Sequence, residues 1–179
     1  MTLTNPTKTG YKFLGWSGTD IDGISMNVVI PSGSTGNREY TANWEAIKYT
    51  IAYELDGGTT TNVAEYTIES ETITLLNPTK AHYDFVEWQL DGKKITEIAQ
   101  GSYGNKTIVA VWMPTVYTIA CELKGGSAVN EATYTIESED IILNNPTKTG
   151  YKFLGWSGTD IDGISMNVVI PSGSTGNRE

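Results

Sequence analysis

Apolar and polar residues alternate over short stretches of the chain, and that alternation sets the first expectations. Tyr49, Ile51, Tyr53 and Leu55 interleave with Thr50, Ala52 and Glu54, a period of two that turns one apolar row toward a core and a more polar row outward in a β-strand. Asp56-Gly57-Gly58 follows, residues that tolerate positive φ and so predict a turn, with a second strand near Glu65 to Ile68 completing a hairpin. Asn77-Pro78 interrupts the chain, because proline lacks an amide donor and pushes its predecessor to extended geometry. A third strand is predicted at Tyr83 to Trp88 and a last one where Ile108, Ala110 and Trp112 alternate. Between Trp16 and Tyr40 the apolar stretch Met26 to Ile30, set among glycines and Pro31, fits either a short helix or a short strand.

The same pattern returns along the chain. Asn-Pro-Thr-Lys begins at Asn5, Asn77 and Asn145, and each time it leads into Tyr-x-Phe-x-x-Trp: Tyr11-Phe13-Trp16, Tyr83-Phe85-Trp88 and Tyr151-Phe153-Trp156. Tyr49-Thr50-Ile51-Ala52 with Gly57-Gly58 returns as Tyr117-Thr118-Ile119-Ala120 with Gly125-Gly126, and the segment Tyr66 to Glu71 returns at Tyr134 to Glu139. The closing segments end at Trp44 and Trp112. A period of about 70 residues is the mark of a tandem array. The divisions that follow are a partial copy over 1–46, a complete copy over 47–114, and a copy lacking its closing strand over 115–179. Residues 5–39 and 145–179 are identical, which fits both alternating near-identical repeats and a duplication. Trp16 and Trp44 are 28 positions apart whereas Trp88 and Trp112 are 24 apart, so the connection between them reads as a surface loop. Glu45-Ala46-Ile47-Lys48 and Met113-Pro114-Thr115-Val116 read as short linkers that limit rotation between copies.

Composition narrows the chemistry. With 179 residues, 12 Lys+Arg and 21 Asp+Glu, the formal charge is -9, a field that repels phosphate backbones and argues against nucleic-acid binding. No run of eighteen apolar residues is present, so no inserted membrane helix is expected. One Cys and one His leave little for disulfides, zinc clusters or a Ser-His-Asp triad. A repeated activity would keep its reactive residues in each copy, yet His82 stands where the other copies have Gly10 and Gly150, and Cys121 stands where the complete copy has Tyr53. Cys121 is expected in a core and His82 in a loop. Glu69 with Glu71, and Glu137 with Glu139, are the nearest to paired carboxylates and read as solvated surface charge. No catalytic residue and no cofactor is expected.

Three further motifs bear on possible chemistry. Asp20-Ile21-Asp22-Gly23, repeated as Asp160 and Asp162 with Gly163, begins like a calcium loop but lacks the later bidentate acid, so a plain turn is expected. Lys8, Lys80 and Lys148 recur and would suit an isopeptide cross-link if each were held in an apolar pocket beside an acid. Asn105-Lys106-Thr107 has the form of a glycosylation acceptor. The aromatics Tyr11, Phe13, Trp16, Trp44, Tyr49, Tyr83, Phe85, Trp88, Trp112, Tyr117, Tyr151, Phe153 and Trp156 hold matching repeat positions and are expected to be structural anchors, since copies this small need bulky groups to bury enough surface. A platform for stacking sugars or seating a protein partner is the alternative.

The set Tyr-Thr-Ile-x-x-x-Leu-x-Gly-Gly, Asn-Pro-Thr-Lys-x-Gly-Tyr-x-Phe-x-Gly-Trp and Tyr-Thr-Ala-Asn-Trp resembles the Listeria-Bacteroides repeat, which includes the B-repeat of a Listeria surface protein. The middle copy departs from it with Ala81-His82 for Thr-Gly and Glu87 for the Gly before Trp88. The resemblance implies a mainly β, at most α+β, chain of small β-grasp-like (ubiquitin-like) modules. It also implies an extracellular, non-catalytic spacer or stalk on a bacterial surface, with a host or bacterial surface protein, or a glycan, as partner. Self-association through the two incomplete copies is a further expectation, because residues 1 to 44 hold what the copy opened at Tyr117 lacks.

Overall fold

The computed structural model describes all residues from Met1 to Glu179. It contains β-strands and no helix. The first copy contributes β1 (Tyr11–Gly18) and β2 (Tyr40–Ala46). The second contributes β3 (Tyr49–Glu54), β4 (Glu65–Tyr66), β5 (Ile73–Thr74), β6 (Tyr83–Leu90), β7 (Lys93–Ile95), β8 (Glu97–Ile98) and β9 (Lys106–Pro114). The third contributes β10 (Tyr117–Thr118), β11 (Thr133–Tyr134), β12 (Ile141–Ile142), β13 (Trp156–Gly158), β14 (Ile161–Ser165) and β15 (Val169–Ile170).

The chain divides into two compact units, Met1–Pro78 with Glu87–Val111, and Thr79–Val86 with Trp112–Glu179. Strands β6 and β9 each contribute residues to both units.

The first unit is built around a five-stranded sheet in the order β4-β3-β9-β6-β7. The alternating strand β3 lies in its interior, parallel to β9 with Tyr53 opposite Ile108, and antiparallel to β4 with Tyr49 opposite Tyr66. A parallel pair needs a long crossover, here supplied by everything from β4 to β8. The order, with its central parallel pair, is that of a β-grasp sheet in which irregular chain replaces the crossover helix. Its core is Ile51, Tyr66, Leu75, Trp88, Ile98, Ile108 and Ala110, with Ile108 wholly shielded from solvent. Asp91 and Gly92, with φ of 51° and 71°, form the two-residue turn between β6 and β7 whose twist suits a tight hairpin. In the same unit β1 pairs with β2 antiparallel, with a bulge between Phe13 and Gly15, and β5 pairs with β8.

The second unit repeats part of this plan. Tyr117 faces Tyr134 across β10 and β11 as Tyr49 faces Tyr66, and Ile141 faces Ile170 across β12 and β15 as Ile73 faces Ile98. Ile119, Tyr134 and Ile170 form its core, with Tyr117, Cys121, Ile141 and Leu143 packed against them.

Two sequence expectations need correction. The strand expected over Glu65 to Ile68 stops at Tyr66, because the hydroxyls of Thr67 and Ser70 capture backbone amides of Glu69 and Thr67 and bend the chain, a local alternative to ladder pairing. The Met26 to Ile30 stretch is irregular in the first copy, where Val29 makes an isolated bridge to Thr2, whereas its identical third-copy counterpart contains the short strand β15 at Val169–Ile170.

Candidate functional site

The feature that recurs with the sequence period is a joint between one copy and the next. It starts from a local turn. In each copy the amide of the tyrosine after Asn-Pro-Thr-Lys donates to the lysine carbonyl: Tyr11 to Lys8 at 3.0 Å, Tyr83 to Lys80 at 3.3 Å and Tyr151 to Lys148 at 3.1 Å. The residue before the tyrosine takes a positive φ, 79° at Gly10, 64° at His82 and 79° at Gly150. That conformation suits glycine and carries a cost for histidine. His82 gains a partner in return, its Nδ1 lying 2.9 Å from the Tyr117 hydroxyl.

The turn aims the tyrosine at the following copy. Tyr11 donates its phenolic hydrogen to Glu69 Oε1 at 2.9 Å, and Tyr83 does the same to Glu137 Oε1 at 2.8 Å. Both acceptors sit in the Tyr-Thr-Ile-Glu segment of the next copy. The Glu69 hydrogen bond, then partial burial and the carboxylate charge, hold the Tyr11 phenol above its ordinary pKa. The backbone is pinned at the same places, with the amide of Ile47 donating to the Gly10 carbonyl and that of Thr115 to the His82 carbonyl, both at 2.9 Å. These bonds fall within the two expected linkers, which are thus tied to the turn rather than loose. Gly10 is buried, and a Cβ there would meet Ile68 Cδ1 at 2.6 Å.

Lysine and aromatics frame the joint. Lys8 Nζ lies 3.6 Å from the Tyr11 ring centroid and 5.9 Å from that of Trp44, and Lys80 lies 3.9 Å from Tyr83 and 5.9 Å from Trp112. Cation–π attraction draws the ammonium to these ring faces. Lys148 stands 4.2 Å from the Tyr151 centroid and donates to the Lys124 carbonyl. The recurrent lysines therefore lie over aromatic faces, and Lys8 and Lys148 are exposed to solvent.

The other aromatics fill the strands behind. Phe13 meets Trp16 and Trp44 edge-on at 5.5 and 5.2 Å, Phe85 meets Trp112 at 5.7 Å, and Phe153 meets Trp156 at 5.4 Å. Tyr49 and Tyr117 tilt against Tyr66 and Tyr134. Trp88 and Trp156 are buried, at 2% and 8% exposure, whereas Trp16, Trp44 and Trp112 are half-buried. Each indole on the Tyr-x-Phe-x-x-Trp motif spends its N–H on a fixed acceptor: Asn5 Oδ1 for Trp16, the Leu76 carbonyl for Trp88 and Asn145 Oδ1 for Trp156. Tyr151 is the outlier at 72% exposed.

The acidic motifs lie apart from the joint. Asp20 and Asp160 adopt positive φ in turns and accept from Arg38 and Arg178, while Asp22 and Asp162 are exposed. No group of three or more His, Cys, Asp or Glu side chains gathers anywhere. Cys121 is half-buried against the second unit's core. Glu69 and Glu137, which sequence reasoning read as plain surface charge, are the acceptors at the joint. Their signal was recurrence at one repeat position alongside the recurring tyrosine.

Residues 49–111 and 117–176 match the Listeria-Bacteroides repeat domain, and residues 1–48 match the Divergent InlB B-repeat domain. Among curated proteins, a "Putative membrane protein" of Evansella cellulosilytica is 29% identical over 157 residues, covering 86% of this chain and 23% of that protein. A "Putative Gly-rich membrane protein" of the same organism is 28% identical over 155 residues, covering 84% of this chain and 18% of that one. The chain thus spans less than a quarter of the length of either relative. No solved structure matches it at a significant level.

Proposed function

Since this chain belongs to the Listeria-Bacteroides repeat family, we propose that it is a non-catalytic spacer on the bacterial cell surface, a segment of a longer envelope protein whose copies are coupled end to end. One observation carries the reading: the Tyr11–Glu69 bond recurs as Tyr83–Glu137, with the same backbone pinning beside it. A joint rebuilt once per period fixes each copy against the next, so reach grows with copy number and rotation at the joint is restrained. The names of the two relatives support a membrane-associated parent. The buried, hydrogen-bonded indoles of Trp88 and Trp156 favour anchoring over the stacking of sugars. Adhesion to a host or neighbouring-cell protein would then be a property of exposed faces carried by the array.

Small-angle scattering tests the proposal. A compact chain of this length has a radius of gyration of about 16 Å. The spacer reading requires a value well above that, with a long tail in the distance distribution. A value at the compact limit would sink it.

A further inference from the structure

Strand β3 opens the second copy and β9 closes it, and the two run side by side in the same direction, with Ile51 opposite Lys106 and Glu54 opposite Val109. In a parallel pair both strands begin at one end and finish at the other. The chain therefore enters β3 at the Tyr49 end of the sheet and leaves along β9 toward the opposite end. Tension along the backbone pulls the two strands past each other, along their axes and across the hydrogen bonds that join them. Every rung then carries the load at once, and none opens before its neighbours. In an antiparallel pair entry and exit would share one end, and the rungs would open singly.

Three features reinforce the pair. An additional rung extends it by one step at the Tyr49 end, where the amide of Thr50 donates to Asn105 Oδ1 at 3.0 Å. The rung recurs in the next copy, where the amide of Thr118 donates to Asn177 Oδ1 at 3.1 Å and Arg178 bridges Ile119 in parallel. The ladder is shielded, because Ile51 and Ile108 are 4% and 0% exposed, and a hydrogen bond broken in an apolar surround finds no water to replace it. Strand β9 is also flanked on its other side by β6, so it cannot slide without breaking both partnerships.

We propose that the β3–β9 pair is a shear clamp, which makes this copy a load-bearing element that transmits tension along the chain without unfolding. The use of such a clamp rests on the spacer reading above. Its strength does not, since it follows from the direction of two strands within one copy.

Single-molecule pulling of the full chain tests this in two directions, because forced unfolding reads the unfolding rate along the pulled coordinate. Lys48→Cys and Tyr103→Cys, in a Cys121→Ser background, place handles at the same end of β3 and β9, both side chains being exposed. The second tether holds the same variant by its two termini. Either geometry releases about 200 Å of chain when the second copy unfolds, which identifies the event. The expected rupture force is severalfold higher between the termini than between the cysteines at equal loading rate. Asn105→Ala should speed unfolding under terminal load about fivefold, the worth of one net hydrogen bond. It should leave the force between the cysteines unchanged, because there the next rung sets the peak. Terminal pulling of the Asn105→Ala chain beside the parent stands even if the cysteine variant folds poorly. A terminal force no higher than the same-end force overturns the proposal, as does a terminal unfolding rate that Asn105→Ala leaves unmoved. Neither result touches the spacer reading, which scattering decides by reach, and a compact particle in scattering leaves the strength of the clamp standing.

Discussion

Tyr11 and Glu69 are 58 positions apart and joined by a 2.9 Å hydrogen bond from phenol to carboxylate. The phenol must keep its proton to donate, and the bond raises its pKa. A raised pKa means the folded state holds the proton more tightly, so this stabilisation is complete below the ordinary tyrosine pKa of about 10 and is lost as pH rises through the folded value. Tyr11→Phe should lower the melting temperature at neutral pH and remove part of the alkaline destabilisation. Glu69→Gln should bring the Tyr11 titration, followed by phenolate absorbance, back toward normal. An unchanged alkaline profile in both variants would remove the joint's electrostatic basis.

Gly10 and Gly150 occupy identical sequence in different surroundings, which separates backbone strain from packing. Both have φ of 79°, yet a Cβ meets Ile68 only at Gly10 and nothing within 4 Å at Gly150. Gly150→Ala should cost about 1 to 2 kcal/mol from the left-handed conformation alone. Gly10→Ala should add about 1 to 3 kcal/mol of overpacking. Urea unfolding reads the difference, and faster exchange of the Ile47 amide, bonded to the Gly10 carbonyl, locates it. Equal costs would show that Ile68 moves aside freely.

At His82 the ring compensates a strained backbone. His82→Ala keeps the positive φ and loses the contact with the Tyr117 hydroxyl, so it should destabilise by about 1 kcal/mol. His82→Gly loses the contact but relieves the strain, and should lie within about 0.5 kcal/mol of the parent. Thermal unfolding of the two variants checks the order, and Ala at or above Gly would contradict it.

Ile108 is the most thoroughly buried side chain, on the central strand β9 and opposite Tyr53. Truncation to Ala should cost about 2 to 5 kcal/mol through lost burial and the cavity left behind. Urea denaturation measures it, and a loss under about 1 kcal/mol would mean the sheet collapses around the gap.

Much of the fold was legible because it is written in period-two alternation and in the sequence period. The pairing of β3 with β4 follows from Tyr49 to Leu55 and the Asp56-Gly57 turn. The parallel partnership of β3 with β9 joins residues more than fifty positions apart, and no local pattern specifies it. Tyr11 to Gly15 likewise form strand because Asn43 to Ala46 of β2, about thirty positions away, lie beside them. A strand is a property of a pair. At the joint, aromatic positions were readable from their recurrence, but the glutamates were hidden by their charge, which in an isolated segment signals only solvent.

The joint also bears on how such arrays change length. One tyrosine, one glutamate and one turn are encoded per period, with donor and acceptor always in adjacent copies. Deleting or inserting a whole period by unequal recombination, at any phase, therefore leaves every surviving tyrosine facing a glutamate. Copy number is free to drift under selection for length alone, and the intervening loop can vary too, since the same bond forms across 58 positions at Tyr11–Glu69 and across 54 at Tyr83–Glu137.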